Sequence, residues 1–542
     1  MTIQRDIRFC KSSDGVELAM GLYGRGSPLV KAATWLTHIE LDQASPFDRS
    51  GAALGPRARR VRAGTPNFPS IRGVQTMASS TPDDRRAIIL GASIAGLLTA
   101  RVLCNRFAEV VLLERDALSE QPTPRKGTPH AVHPHGLLAR GCQILEMLFP
   151  GFSEALIAQG ALAGDVAMEV GVDANGRRFA RGTSGLMGLA VSRLAIEAEL
   201  RRRVRMLPSI RIVTGVDVLT PVHDAAASRV TAVRYRSRAG AGCEHTLAAA
   251  LVVDCTGRGS HSPVWLREWG YEQVREERIV IGLCYTSAYF RRDAGVRPPL
   301  AAIIGAATRE LPRPYVLIAQ EPDENGAARW VAGVGGYAGD HVEPTLEAMQ
   351  RRAREVGVDE IASLAERGEM LGSVIRYGFP HSQRRRYERL RRFPRGYLLL
   401  GDALASFNPI YGQGMTAAAC QAIALDTALA GSDEGLAKRF FRAAAKVIDA
   451  PWQLAVSSDL ALPNVPGARP LPVRIVNAYI ARLQRVATHD PKVSAAFIRV
   501  IHLVAAPASL FAPRIFLRVL FGSGRFGAAV DRVVAAGQRA QN

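Results

Sequence analysis

Hydrophobic residues in this chain gather into short bursts whose period changes along its length. Arg86-Ala-Ile-Ile-Leu90 is a compact apolar run of the kind that forms a parallel strand buried on both faces. Gly91-Ala-Ser-Ile-Ala-Gly96 follows directly, and from Leu97 onward, in LLTARVLCNRF, the apolar positions take helical spacing. A second strand is predicted at Glu109-Val-Val-Leu-Leu113, ending on Glu114. Two further apolar runs end in glycine turns, Ala250-Leu-Val-Val-Asp-Cys-Thr-Gly257 and Tyr397-Leu-Leu-Leu-Gly-Asp402. The later one leads through Asn408-Pro-Ile-Tyr-Gly-Gln-Gly-Met415 into a predicted helix beginning at Thr416. Between these two runs, residues 279–290, 301–305 and 329–337 are strand-like with turns between them, which predicts a β-sheet domain.

The first eighty residues follow a different pattern. Residues 3–49 alternate short apolar runs with Gly and Asp-Gly turns, which predicts a β-hairpin and the start of another strand. With its Gly-x-Gly-x-x-Leu-Val stretch from Gly24 to Val30, this region resembles the opening of an α/β-hydrolase. No G-x-S-x-G nucleophile elbow follows, and so short a segment cannot build that fold's sheet, so hydrolase activity is not expected. From Ser50 to Ser80 there is no acidic residue, while Arg57, Arg59, Arg60, Arg62 and Arg72 sit among Gly, Pro and Ser. Such a segment buries too little apolar surface to offset its ordering entropy and reads as a basic disordered linker.

Composition narrows the class. The 542 residues are 48% hydrophobic and 22% charged with mean hydropathy +0.03, which excludes disordered, collagen-like and disulfide-scaffold proteins. No apolar run reaches the roughly 18 residues of a spanning helix. The charged start, MTIQRDIRFCKSSDG, is unlike a signal peptide, so a cytoplasmic location is expected. The seven cysteines are scattered without a C-x-x-C pair, so neither a disulfide framework nor structural zinc is expected. Net charge is +20, yet only six basic residues are lysine and 63 are arginine, a bias that reads as GC-rich codon usage. With 6% aromatics and no reading motif, no nucleic-acid partner is expected.

The strand–turn–helix–strand beginning at Arg86 has the chemistry of a dinucleotide site. Gly91 permits the tight turn, Gly96 lets helix and strand approach, and the helix N-terminus offers unpaired N–H groups to a pyrophosphate. Glu114, 23 residues after Gly91, is placed to accept from ribose hydroxyls. Ser93 stands where a middle glycine is usual, a small residue that still admits close backbone approach.

In this order and at these distances, the strings resemble the FAD-dependent aromatic hydroxylase and squalene-epoxidase superfamily, most nearly a bacterial branch of polyether and polyketide epoxidases. The likeness extends to Pro124-Arg-Lys-Gly-Thr-Pro-His, Val191-Ser-Arg-Leu-Ala-Ile-Glu and Arg384-Arg-Arg-Tyr-Glu-Arg-Leu390. It implies an α/β fold: a glutathione-reductase-type Rossmann FAD domain (83–275 and 393–435), an inserted β-sheet substrate domain (276–392) and a helical C-terminal region (436–542), after the fragment 1–49 and linker 50–82. It also implies that Gly91, Ser93 and Gly96 hold the FAD pyrophosphate and Glu114 the adenosine ribose. Arg125 and Arg193 would contact phosphate or ribityl, and Gly257 would close the crevice. Asp402 would hold the ribityl chain, while Pro409, Gly412 and Gly414 line the isoalloxazine. The implied reaction inserts one oxygen atom from O2 into a hydrophobic substrate, by epoxidation or ring hydroxylation through a flavin C4a-hydroperoxide. Its electrons would come from NAD(P)H or a partner reductase. A polyprenyl reductase of the geranylgeranyl-reductase type and a non-catalytic FAD-binding protein are the alternatives. The W-x-W-x-I-P string of flavin halogenases is absent. No catalytic side chain is singled out.

Several clusters have plainer readings. His130, His133 and His135 form H-x2-H-x-H without a nearby fourth ligand and read as polar lining rather than metal ligands. Glu197 and Arg201 read as a surface i,i+4 pair, Arg384 to Arg386 as solvated charge, and Trp265 with Trp269 as core packing on one helix face. From Asn464 to the end, eleven basic residues and two acids accompany apolar runs at 497–504 and 510–521. Packing on the FAD domain is the expectation here, with peripheral membrane contact as the alternative. Residues 1–76 read as a fusion remnant or a mis-set start before Met77. Limited proteolysis should therefore remove them and leave a folded core; a core that is degraded along with them would contradict this.

Overall fold

The computed structural model describes residues 6–11, 17–22, 31–32, 83–239 and 242–521. Strands Asp6–Lys11 and Glu17–Leu22 pair antiparallel, as the expected hairpin does, and Lys31–Ala32 adds a short third strand. The expected linker 50–82 and the last residues of the C-terminal region lie outside the described residues. The chain divides into two units, and everything below concerns the one spanning Ser79–Val519.

Its first layer is a five-stranded sheet of β1 (Asp83–Leu90), β2 (Phe107–Leu113), β3 (Ile210–Val213), β4 (Leu251–Asp254) and β5 (Tyr397–Leu399). The spatial order is β3-β2-β1-β4-β5, with every neighbouring pair parallel. Ile88, Ile89, Val111, Leu112, Val252 and Val253 are all fully buried. That is why these strands read as unbroken apolar runs rather than alternating ones. Three helices serve the site: α1 (Ile94–Leu103), α2 (Arg193–Arg205) and α3 (Gly414–Leu429). Alanines at 417, 418, 419 and 422 are buried, so α3 lies close against its neighbours.

The second layer is an eight-stranded sheet built around two 16-residue strands, Glu276–Arg291 and Met370–Arg385, paired antiparallel from Glu276↔Arg385 to Phe290↔Met370. Strands Arg329–Gly336, Tyr315–Gln320 and Ala302–Gly305 continue it, and Val170–Ala174 joins parallel to Ala302–Gly305. This sheet therefore takes strands from inside 83–275 as well as from 276–392. One face packs on helices Leu346–Val356 and Asp359–Arg367 through Phe290, Met349, Ala353 and Ile361. Residues on the other face alternate with these and line a cavity, among them Ala302, Ile304, Val316 and Ile318.

Two expectations are corrected here. Arg384, Arg385 and Arg386 are not solvated: Arg384 is 2% exposed, and the three pair with Asp449 (2.7 Å), Glu276 (3.0 Å) and Glu277 (2.5 Å). Arg384 and Arg385 end the strand Met370–Arg385 and Arg386 starts the turn after it, and a guanidinium taken from water there needs a carboxylate. Trp265 and Trp269 are half-buried rather than core; Trp269 follows the helix Ser262–Glu268 and stacks on His223 at 5.0 Å between centroids. At the C-terminal end, helices Leu471–Ala487, Pro491–Ile501 and Pro513–Phe521 do pack on the body, through Leu483, Val486, Val493, Phe497 and Val519 against Phe179.

Candidate functional site

The site is built at the carboxyl ends of β1, β4 and β5, where open parallel sheets place their ligands. Gly91 leaves β1 with φ +94°, and its N–H donates to the Leu113 carbonyl at 2.8 Å. A Cβ on Gly96 would sit 2.0 Å from the Gly91 carbonyl oxygen, so no larger residue fits between turn and helix. Ser93 is the N-cap of α1, but its hydroxyl makes no capping bond and the first turn carries no acid.

That hydroxyl is committed elsewhere, donating to Glu197 Oε2 at 2.7 Å and accepting from Arg193 Nη2 at 3.2 Å. Arg125 donates to Glu197 Oε1 at 2.8 Å, to Asp116 at 3.2 Å and to Glu114 at 3.3 Å. Glu114 in turn accepts from the Ala92 N–H at 2.7 Å and the Asp116 N–H at 3.0 Å. Six of the expected residues, Gly91, Ser93, Gly96, Glu114, Arg125 and Arg193, thus meet in one place. The surface reading of Glu197 is corrected: it is 5% exposed and bridges Ser93 to Arg125, with Arg201 at 3.8 Å. Its position on α2 faces the glycine turn, a tertiary contact that i,i+4 spacing does not encode.

Burial lowers the Arg193 pKa, opposed by Glu197 and then Asp402, and Arg193 Nε is buried with no partner among the described residues. Gly257 turns at φ +80° and its Cβ position lies 4.0 Å from the Asp402 Cβ. Asp402 sits in the turn Gly401–Ala403, and burial raises its carboxyl pKa against the pull of Arg193 and Arg258. Pro409 opens the turn Pro409–Tyr411, Gly412 follows at φ +64°, and Gly414 begins α3, whose N-cap Gln413 makes no capping bond. Gln413 Oε1 is buried without a partner.

The histidines connect these two groups. His130 Nε2 accepts from Arg193 Nη1 at 2.8 Å, His133 Nδ1 meets Ser287 Oγ at 2.9 Å, and His135 Nδ1 meets the His133 carbonyl at 2.8 Å. Burial pulls their pKa values down to about 2, 4 and 3, so all three are neutral at physiological pH. Among the described residues no group of three His, Cys, Asp or Glu side chains is gathered to hold a metal ion.

His135 and Gly412 open on a cavity of about 630 Å³. The second sheet forms one wall, the Pro409–Tyr411 turn another, and Val473, Ile480, Phe497 and Leu510 of the C-terminal helices a third. The turn is braced from behind. Asn408 Nδ2 donates to Asp459 Oδ1 at 2.7 Å and to Tyr337 Oη at 3.0 Å, and the Tyr411 hydroxyl donates to Asp459 Oδ1 at 2.9 Å.

No family model matches the chain. "Protein Rv3254" of Mycobacterium tuberculosis (strain ATCC 25618 / H37Rv) is 33% identical over 427 residues, which are 76% of this chain and 88% of that protein. The chain belongs to the Rv3254 family. Among solved structures, PqsL of Pseudomonas aeruginosa, described as a probable FAD-dependent monooxygenase, has TM-score 0.51 at 18% identity over 70% of this chain and 97% of PqsL. A flavoprotein/dehydrogenase of Cytophaga hutchinsonii has TM-score 0.55 at 14% identity, over 85% and 100% of the two chains. The p-nitrophenol 4-monooxygenase PnpA of Pseudomonas putida DLL-E4 has TM-score 0.53 at 16%, over 78% and 98%. This member of the Rv3254 family therefore has the fold shared by these flavoproteins.

Sequence reasoning missed Glu197, Asp116 and Asp459. The available signal for Asp459 was an acid set among apolar residues in VSSDLAL on a helix face that is otherwise core. Asp459 is fully buried, and burial raises its pKa to about 7. An unfolded aspartate loses its proton near ~3.9, so between there and about 7 the folded state binds the extra proton. The stability gained is complete below the lower value and is lost as pH rises through the upper one. Asp459→Asn should therefore gain stability relative to the parent between about pH 5 and about pH 8, by on the order of 2–4 kcal/mol, in denaturant titrations. A difference that does not change with pH would show that the carboxyl is not held neutral.

Proposed function

We propose that this protein is an FAD-dependent monooxygenase that inserts one oxygen atom from O2 into an apolar small molecule held in the cavity. The observation that carries this reading is the convergence of two uncapped helix N-termini, α1 and α3, on a cleft with unmatched polar atoms. Helix N-termini attract anions, and the orphaned Arg193 Nε and Gln413 Oε1 are a donor and an acceptor awaiting partners. The zero-clearance glycine turn and the carboxylate of Glu114 suit a dinucleotide. The residues present fit FAD.

Gly91, Ser93 and Gly96 would then take the pyrophosphate and Glu114 the adenosine ribose. Arg125 and Arg193 would reach phosphate or ribityl, Gly257 would close the crevice and Asp402 would hold the ribityl chain. Pro409, Gly412 and Gly414 would lie along the isoalloxazine. FAD, when bound, supplies the redox chemistry that activates oxygen. The protein's own part is to desolvate and orient: the apolar walls exclude water, and the α3 N-terminus favours negative charge at its end of the cofactor. Electrons would come from NAD(P)H or a partner reductase, docking transiently. The names of PqsL, a probable FAD-dependent monooxygenase, and PnpA, a p-nitrophenol 4-monooxygenase, support this reading.

The full-length protein should purify yellow and release FAD on denaturation, and should consume O2 when given NAD(P)H and an apolar substrate. Gly96→Ala should weaken FAD retention at least about tenfold, roughly 1.4 kcal/mol. Alkene reduction without oxygen would point to a reductase instead, and a colourless protein that cannot be reconstituted would overturn the cofactor assignment.

The reading includes a peripheral membrane contact by the C-terminal helices. No helix among the described residues is long and apolar enough to cross a membrane. Leu471, Ile475, Phe511, Phe516 and Leu517 are nonetheless exposed, beside exposed Arg474 and Arg514, and Asp490, the one acid among the described residues of these helices, is buried against Arg518. An apolar face with cations and no exposed acid suits an anionic lipid surface. The protein should float with anionic liposomes and be released by salt; remaining in the pellet at low salt would exclude it.

A further inference from the structure

We propose that a second cavity, of about 360 Å³ at the amino-terminal ends of the first-layer strands, binds a nucleoside polyphosphate. The ring would lie among aromatic side chains and the phosphates over the first turns of the helix Leu436–Ala461. Phe107, Leu251 and Tyr397, which line this cavity, begin β2, β4 and β5, and Arg85 lies near the start of β1. Extended chain from Arg85 to the glycine turn at Gly91 covers about 20 Å. A molecule seated here is therefore a second ligand, not the one that the carboxyl-end cleft would hold.

The lining has an aromatic part and a cationic part. Phe393 lies nearly parallel to Tyr397, at 7° with 6.1 Å between centroids, and edge-on to Phe441 at 4.9 Å. Tyr387 stacks on Phe441 at 5.5 Å, and Phe393 is only half-buried. Partly open rings of this kind stack on a flat heterocycle. Arg229, Arg392 and Arg395 are each fixed by a backbone carbonyl, of Ala250 at 2.7 Å, Gly270 at 3.2 Å and Ala227 at 3.1 Å. Arg392 also lies over the Tyr271 ring, 5.7 Å from its centroid. Each guanidinium spends a donor on its own positioning and keeps others for an anion. The acids of the lining, Asp433 and Glu388, are already paired, with Arg85 at 2.7 Å and Arg386 at 3.4 Å.

The helix Leu436–Ala461 adds a row of charge. Lys438, Arg442 and Lys446 follow one another at i, i+4 and i+8, all exposed and none in an ion pair among the described residues. Like charges one turn apart oppose each other. Exposed arginines elsewhere do find acids: Arg291 pairs with Glu369 at 2.6 Å, Arg236 with Glu244 at 2.6 Å and Arg354 with Glu366 at 2.5 Å. No side chain caps the helix at Gly435, and its first turn carries no acid. Gly435 and Lys438 line both the aromatic cavity and the hollow along Arg442 and Lys446, so ring seat and cationic row are continuous. None of the large apolar residues that the surface exposes belongs to this lining, so it does not suit a lipid face. Fixed cations beside stacked rings suit phosphates joined to a base.

Calorimetry on the full-length protein, with FAD in excess to fill the dinucleotide cleft, tests this. The titrants are ATP, adenosine, inorganic triphosphate and a short single-stranded oligonucleotide. ATP should bind at least about tenfold more tightly than either triphosphate or adenosine, and less tightly as salt is added. Joint Lys438→Glu and Arg442→Glu, both on exposed helix surface, should weaken ATP at least about tenfold and leave FAD retention as it was. Phe393→Leu should remove the margin of ATP over triphosphate and leave triphosphate binding in place. The proposal is overturned if ATP does not bind, if it binds no better than triphosphate, or if the charge reversals leave its affinity unchanged. An oligonucleotide that binds more tightly than ATP would also overturn it, in favour of a nucleic-acid face.

Discussion

The charges buried between the glycine turn and helix α2 are the constraint on which the rest of the site depends. Arg125 is shared by Glu197, Asp116 and Glu114, and Glu197 reaches on to Ser93 in the turn itself. Each of these groups is expensive to remove from water alone and tolerable only together. The network therefore ties three pieces of chain: the glycine turn, the end of β2 with the loop after it, and the first turns of α2. Arg193, one turn before Glu197, extends the tie to His130 and so to the lip of the cavity. The glycine turn and the cavity are linked by a polar chain as well as by the sheet.

The second layer contributes shape more than charge. Its two 16-residue strands are tied together at one end by Arg385–Glu276 and Arg386–Glu277, while Arg384 reaches Asp449 of the helix Leu436–Ala461. Side-chain alternation then does the sorting. One face of the sheet carries Phe290 and its neighbours to the outer helices, while the other carries small and β-branched residues to the cavity. The C-terminal helices complete that cavity, so their packing and their exposed apolar face belong to one construction.

Much of this was legible in the sequence, for identifiable reasons. Parallel strands flanked by helices read as continuous apolar runs, and the glycine turns at 91–96, 257 and 412–414 stand at their ends, so the first layer and its cleft could be placed. Of the histidine cluster, His135 lines the cavity, while His130 and His133 bond Arg193 and Ser287 from distant segments. The misreadings share one cause. Glu197 and Arg384 to Arg386 look like surface residues, since charge in a sequence carries no mark of which distant segment will cover it. Only the tertiary fold puts Ser93 over Glu197 and Tyr411 over Asp459.

The arginine bias of the chain has a consequence for how its interior responds to acidity. Arginine keeps its proton at every physiological pH, so the buried pairs carry fixed charges. The buried histidines at 130, 133, 135 and 502 sit at about 2, 4, 3 and 4, and are already uncharged well below neutrality. Near neutrality these histidines are electrically quiet, whereas Asp459, lifted by burial to about 7, holds a proton that moves in this range. An interior rich in arginines that never titrate thus keeps a movable proton behind the Pro409–Tyr411 turn, at the wall of the cavity.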